Sequence, residues 1–309
     1  MQSGVLDARM AEYTAKAKVI KIQNVADYHF NDMKDDYDLC NSFPNVAPPF
    51  EHTWFEYTIP REMRSSNGEV FNINNFQRRI GVFSLAFRVE TELELKPWYE
   101  HAQKEGNAPF GKVCDRMILP GWMVNYAIFF HSRLDPQPHE MGAVWLAVNS
   151  DGRVTSEEGI PYRTAPGLMD VHGNKIDNLS IYWAMIGYMR PVLMALSFLH
   201  CKNVTLDGND VPVRIQKRRM AEGKLPLVKY YTLNIEPMTR VLSREGGAEK
   251  NGAAKAMHIC RGHFADYSKG NGLFGKYKGR YWIESHVRGS AELGTVVKDY
   301  NVIGSRITA

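Results

Sequence analysis

The sequence predicts an α+β protein with a β-rich N-terminal half, a central buried helix and a C-terminal antiparallel sheet carrying a charged hairpin. Three observations predict it. Apolar segments of strand length, rich in aromatic and β-branched residues, dominate residues 43–149. One long stretch, residues 179–200, is almost uncharged. The last third contains two arms that mirror each other across a glycine- and lysine-rich turn. Helix and strand signals do not alternate as βαβ units, which argues against a doubly wound sheet. The expected division is a β-rich lobe over 1–176 and a helix plus antiparallel lobe over 177–309, the two able to form one continuous unit.

Taken in order, residues 8–21 (ARMAEYTAKAKVIK) read as a weak helix. Pro48-Pro49 ends any helix, and the aromatic run after it, including Trp54, Phe55 and Tyr57, alternates like a strand. Residues 79–95 read as one long strand or a hairpin arm, and 122–133 and 143–149 as two more strands. Residues 150–153 (SDGR) are a turn. Asp177 is a candidate N-cap for the apolar helix. That helix contains Arg190-Pro191 at its middle. An arginine at a bilayer centre costs several kcal/mol, so the helix reads as a core helix kinked or broken at Pro191, and no membrane is expected. Residues 204–213 read as short strands around Asp207-Gly208, 228–237 as a clear strand, 241–256 as a loop, and 295–303 as a final strand.

The composition is that of a folded globular chain: 309 residues, 44% hydrophobic and 23% charged, with a net charge of +4. The charge is unevenly placed. Residues 214–229 carry Arg214, Lys217, Arg218, Arg219, Lys224 and Lys229 against the single acid Glu222. On a helix, Arg214, Lys217 and Arg218 would share a face, which suits a phosphate backbone. The alternative is a solvated loop. Tyr230-Tyr231 beside it would add stacking surfaces for unpaired bases. Cys40, Cys114, Cys201 and Cys260 are spread out and form no CxxC pair, so reduced thiols and a cytoplasmic setting are expected. Asp7, Arg9 and Glu12 interrupt any signal-peptide core.

The mirrored arms run from His258 to Tyr267 and from Tyr281 to Gly289. In one antiparallel register Arg261 faces Arg288, His263 faces His286 and Tyr267 faces Trp282. Cross-strand neighbours lie about 5 Å apart, and like charges that close call for an anion between them. Arginine forks grip phosphate, and two histidines on one phosphodiester can act as base and acid. His263 and His286 are therefore the candidate catalytic pair of a metal-independent, ribonuclease-like reaction. Arg261, Arg288, Tyr267, Trp282 and the turn residue Lys276 are the candidate phosphate and base contacts. A purely structural role for the same residues, with Gly262 and Gly289 forming bulges, is the competing reading.

Other chemistries find no motif. There is no GxSxG, GxGxxG, P-loop or HExxH pattern. Asp32, Asp35, Asp36 and Asp38 match no calcium loop, and His131, His139 and Glu140 match no zinc motif, so no metal and no cofactor are expected.

The segments HICRGHFADY, GLFGKYKGRYW, HVRG and GTVVKDYNV, with NVAPPF near residue 45, resemble an uncharacterised family of proteins of bacteriophages and mobile elements. The likeness is strong over the C-terminal third and loose elsewhere. It implies a phage or prophage setting, hence the cytoplasm of an infected or lysogenic cell, and no particular activity. The expected partner is nucleic acid, with RNA or single-stranded DNA favoured. The alternative is a non-enzymatic accessory protein that binds and modulates a host protein through Trp54-Phe55-Tyr57 or the Lys-rich turn.

Overall fold

The computed structural model describes residues 12–32, 39–59, 62–64, 70–72, 79–104, 113–131, 138–156, 160–165, 168, 175–222, 229–243, 256–260, 262–284, 286–288 and 290–295. The chain divides into two units, Met1–His200 with Val204–Asn234, and Cys201–Asn203 with Ile235–Ala309. The boundary thus falls after the apolar helix and again near residue 235, not at 176. The helix belongs with the N-terminal sheet because it packs on that sheet.

The strands of the first unit are β1 (Lys18–Lys21), β2 (His52–Thr58), β3 (Glu62–Arg64), β4 (Val70–Asn72), β5 (Arg79–Val89), β6 (Gly121–His131), β7 (Pro138–Val148), β8 (Tyr162–Thr164), β9 (Val204–Asn209) and β10 (Tyr230–Ile235). Its helices are α1 (Gln23–Asp32), α2 (Leu39–Ser42), α3 (Glu92–Lys104), α4 (Asn178–Leu199) and α5 (Val213–Ala221). Eight strands form one mixed sheet in the order β8-β7-β6-β5-β2-β1-β10-β9, while β3 and β4 pair separately. From β2 through β5, β6 and β7 to β8 every pairing is antiparallel. β1 lies parallel to both β2 and β10.

Both faces of the sheet are buried. One row runs Tyr230, Val19, Trp54, Phe83, Ala127 and Ala143 across six strands. The adjacent row runs Tyr231, Ile20, Phe55, Val82 and Ile128, the last four fully buried. That double burial explains why these strands read as continuous apolar runs rather than strict alternation. Gly81 makes room in the first row: a Cβ there would lie 2.3 Å from Trp54 Cζ2. The indole is itself buried and cannot swing aside. Gly81→Ala is therefore expected to lower stability by about 1–3 kcal/mol, read as a drop in the urea midpoint at unchanged slope. An unchanged midpoint would show that the indole is free to move.

Helix α4 packs with α1 and the sheet. The Tyr57 hydroxyl, on the Phe55 face, donates to the Tyr188 carbonyl at 2.7 Å. Asp177 caps the helix as expected, accepting from the Ser180 amide at 2.9 Å. A bond from the Ser180 hydroxyl, together with that amide bond, holds the Asp177 carboxyl below the usual range. The C-terminal half of α4, Val192 to Phe198, is buried all round, which accounts for its lack of charged side chains. The helix passes Pro191 without a break. By length and composition it is the one helix among the described residues that could cross a membrane, and more than half of its apolar window is packed inside the protein.

Two local expectations are overturned. Residues 12–16 are helical, but Lys18–Lys21 leave the helix and form a central strand. The pairing of β1 with β2 and β10 supplies what local propensity does not. Residues 92–95, read as the end of a strand, begin α3 instead. Glu92 and Glu94 in its first turn complement the helix dipole.

The second unit holds helix α6 (Met238–Ser243), at the start of the expected loop, and strands β11 (Ala256–Cys260), β12 (His263–Asp266), β13 (Arg280–Ile283), β14 (His286–Arg288) and β15 (Ser290–Thr295). β12 and β13 form a two-stranded antiparallel sheet; β14, β11 and β15 form a second sheet in which β11 and β15 run parallel. The expected final strand at 295–303 meets the described residues only at Thr295, where β15 ends.

Candidate nucleic-acid interface

The mirrored hairpin exists, but its register differs from the one that would face arginine with arginine. His263 pairs with Ile283, Phe264 with Trp282 and Asp266 with Arg280. His258 pairs with Arg288 and Cys260 with His286. Arg261 lies outside the described residues. The observed register has a physical reason. It replaces facing like charges with an ion pair, Arg280 to Asp266 at 3.3 Å, and with a T-shaped aromatic pair, Phe264 and Trp282 at 4.7 Å. The ladder closes at Tyr267 N–H to the Gly279 carbonyl, 2.8 Å. Beyond it the turn needs left-handed backbone at Gly270, Gly272, Gly275 and Gly279, and even at Phe274.

This register gives the residues expected to face each other different cross-strand partners. His263 is exposed and sits in the β12–β13 ladder, whereas His286 belongs to the β11–β14 ladder. Trp282 is 4% exposed and offers no face to a base. Tyr267 is half-buried and Lys276 is exposed on the turn beside Lys269 and Lys278. Trp54, Phe55 and Tyr57 are all buried in the sheet, so they cannot form a partner interface.

The basic run after residue 213 comes out differently. Residues 213–221 form helix α5, and none of its residues is buried. Even its apolar members are open, Val213 at 68% and Met220 at 67%. Arg214, Lys217 and Arg218 therefore do share a helical face. Arg218 is bonded to Glu222 at 2.9 Å, but Arg214 and Lys217 have no ion-pair partner among the described residues.

A second set of cations lies beside this helix. Lys229 bonds Asp210 at 2.9 Å, two residues before the Pro212 that precedes α5. That bond ties the start of β10 to the entry of the helix. It also raises the Lys229 ammonium above its ordinary range. Lys229 lies 5.7 Å from the Tyr231 ring, and Lys18 lies 4.3 Å from the same ring and 4.2 Å from Phe50. On the opposite face Lys21 sits 3.9 Å from the Tyr230 ring. Lysines held over half-buried rings keep their stems ordered and their charges at the surface. The result is an exposed basic helix whose entry is tied by the Lys229–Asp210 bond to an aromatic and lysine surface on two neighbouring strands.

No family model, curated protein or solved structure matches this chain.

Lys229 and Tyr231 were visible as part of the basic run, but Lys18 and Phe50 were not. Only the parallel pairing of β1 with β10 brings them in. A cavity of about 740 Å³ in the first unit was also invisible to the sequence. It is lined by Glu92, Lys96, Tyr99, Glu100, Cys114 and Asp115, among others. The Tyr99 hydroxyl donates to Asp115. Burial, then the Asp115 charge, pushes the Cys114 thiol up to about 11, so it is not a thiolate nucleophile at neutral pH. Among the described residues no three His, Cys, Asp or Glu side chains converge to hold a metal.

Proposed function

We propose that this protein binds single-stranded nucleic acid through α5 and the adjoining Lys18–Tyr231–Lys229 surface. The observation that carries the reading is a nine-residue basic helix with no buried residue. A helix with no packed face gains nothing from the core, and most protein helices owe their stability to such packing. Its surface is thus available to a ligand, and Arg214, Lys217 and Arg218 present cations on one side. Phosphates would pair with those cations and with Lys229. Tyr231 would provide a stacking surface, a contact worth roughly 1–3 kcal/mol per base. The C-terminal motifs favour a phage or mobile-element setting for this activity.

Hydrolysis by His263 and His286 draws no support from the ladder, which gives them different cross-strand partners. The accessory-protein alternative keeps only the Lys-rich turn, because its aromatic segment is buried.

The test is fluorescence anisotropy with labelled single-stranded RNA, single-stranded DNA and duplex DNA at low and high salt, with product length checked on the same samples. The expected result is salt-sensitive binding to single strands, intact product, and at least about a tenfold loss of affinity in the triple variant R214A/K217A/R218A. Absence of binding at low salt, or full affinity in the triple variant, would overturn the proposal. Shortened product would restore a catalytic role.

A further inference from the structure

The turn between β12 and β13 is built to hold one ring at the surface. Leu273 and Tyr277 exchange both backbone bonds, each at 3.0 Å, and close a loop of Phe274, Gly275 and Lys276. Gly272 seats against this clasp, where a Cβ would lie 2.7 Å from the Tyr277 carbonyl oxygen. The Tyr277 ring meets Tyr281 edge to face, and its hydroxyl donates to the Val241 carbonyl of α6. The base of the loop is thereby anchored, with Leu273 and Tyr277 half-buried. Phe274, in contrast, is 59% exposed and makes no ring contact among the described residues. Its backbone has φ 53, in the left-handed region that disfavours side chains. The other left-handed positions of the turn, 270, 272, 275 and 279, are all glycine. A phenylalanine at the fifth strains the backbone for a ring left mostly in solvent, and such strain points to function.

Charge marks the ligand. Lys269, Lys276 and Lys278 are all exposed, and no Asp or Glu lies between Tyr267 and Gly279. We propose that this tip binds single-stranded nucleic acid, with Phe274 stacked on an unpaired base and the three lysines paired with neighbouring phosphates. Two rival surfaces fit less well. Insertion into a bilayer scales with the apolar area buried, and a protein interface needs an apolar core. The tip offers a single ring among cations, which matches a single base and its phosphates. It lies wholly in the second unit. The tip rests on the nucleic-acid reading of the first unit for its ligand class, and shares none of that interface's residues.

The experiment follows labelled oligo(rU) and oligo(dT) by anisotropy on the full chain and its variants. F274A should weaken binding by about 5- to 150-fold, the range of one lost stacking contact. F274L should lose nearly as much, and F274W should keep wild-type affinity. Leucine stays apolar, so its loss separates stacking from apolar insertion. K269A/K276A/K278A should flatten the slope of log affinity against log salt by about 2. F274G relieves the backbone, so its urea midpoint should equal or exceed that of the wild-type chain while its affinity falls. Irradiation of iodouracil-substituted oligo(rU) on the wild-type chain should crosslink Phe274.

Full affinity in F274A and F274L would overturn the role of the tip and leave the α5 proposal standing. Loss in F274A with full affinity in R214A/K217A/R218A would support the tip and overturn the α5 proposal. A lower midpoint in F274G would make the ring part of the fold and overturn the role of the tip. Binding of neither oligonucleotide at low salt would overturn both. Sedimentation with phosphatidylserine vesicles, lost in F274A, would in that case assign the tip to a membrane.

Discussion

Replacing Asn203 with alanine is expected to destabilise the second unit by about 3–5 kcal/mol, the largest single effect this structure predicts. Asn203 is 5% exposed and works as a substitute strand. Its side-chain amide donates to the Trp282 carbonyl at 2.9 Å and to the Glu236 carbonyl at 2.8 Å. Its side-chain oxygen accepts from the Trp282 amide at 3.0 Å. Its own carbonyl accepts from the Glu236 amide, and the neighbouring Lys202 amide donates to the Arg280 carbonyl, each at 2.8 Å. The bonds to Trp282 and Arg280 cover the outer edge of β13, the side not paired to β12. Alanine would leave two carbonyls and one amide of the backbone without the side chain that satisfies them, and a buried orphan costs about 1–3 kcal/mol. Asn203→Asp is the sharper variant. It keeps an acceptor for the Trp282 amide but turns a negative oxygen toward two carbonyls. Hydrogen exchange is the measurement: amides of residues 262–284 should lose protection in both variants, while those of 80–89 and 122–130 keep theirs. Unchanged protection of 262–284 would contradict this account of the edge.

The second large effect concerns acid. His29 in α1 is 8% exposed, and its pKa is lowered to about 4, first by burial and then by the nearby charge of Arg190. An unfolded histidine titrates near 6.5. The folded state therefore resists a proton that the unfolded state accepts. The sign follows directly: the stabilising preference for the neutral ring is complete above about pH 6.5 and is lost progressively as the pH falls toward about 4. The full difference is on the order of 3 kcal/mol. Urea unfolding of the wild-type chain and of His29→Leu over this range isolates the effect, because other carboxylates and histidines titrate in both. The wild-type chain should lose about 3 kcal/mol more than the variant on acidification. Parallel pH profiles would show that His29 is not held neutral.

The sequence carried the α+β class and several individual elements, and the reasons differ element by element. The strands at 121–131 and 138–148 were legible because long runs of aromatic and β-branched residues resemble little else. Helix α4 was legible from its length and from Asp177, a cap that acts over three residues. β1 was not, because its four residues follow a helical turn and gain their strand character from partners some thirty-five and two hundred residues away. The hairpin shows a different limit. The match of Arg261 with Arg288 and of His263 with His286 is a pattern of letters. The ladder is set by contacts that repay burial, and Phe264–Trp282 and Asp266–Arg280 decided it. Of the candidate interface, the basic run was legible as composition, and its shared face followed once 213–221 proved helical. Lys18 and Phe50 join it only through a parallel pairing that no local pattern announces.

The central claim is that Arg214, Lys217 and Arg218 meet the phosphates of a single strand. It is tested most directly by measuring the dependence of affinity on salt for the wild-type chain and for R214A/K217A/R218A, on the same single-stranded oligonucleotide. Each neutralised phosphate contributes about −0.7 to the slope of log affinity against log salt concentration for a single strand. The account predicts a negative wild-type slope that becomes shallower by about 2 in the variant, along with weaker binding at every salt concentration. Identical slopes for the two proteins would contradict it.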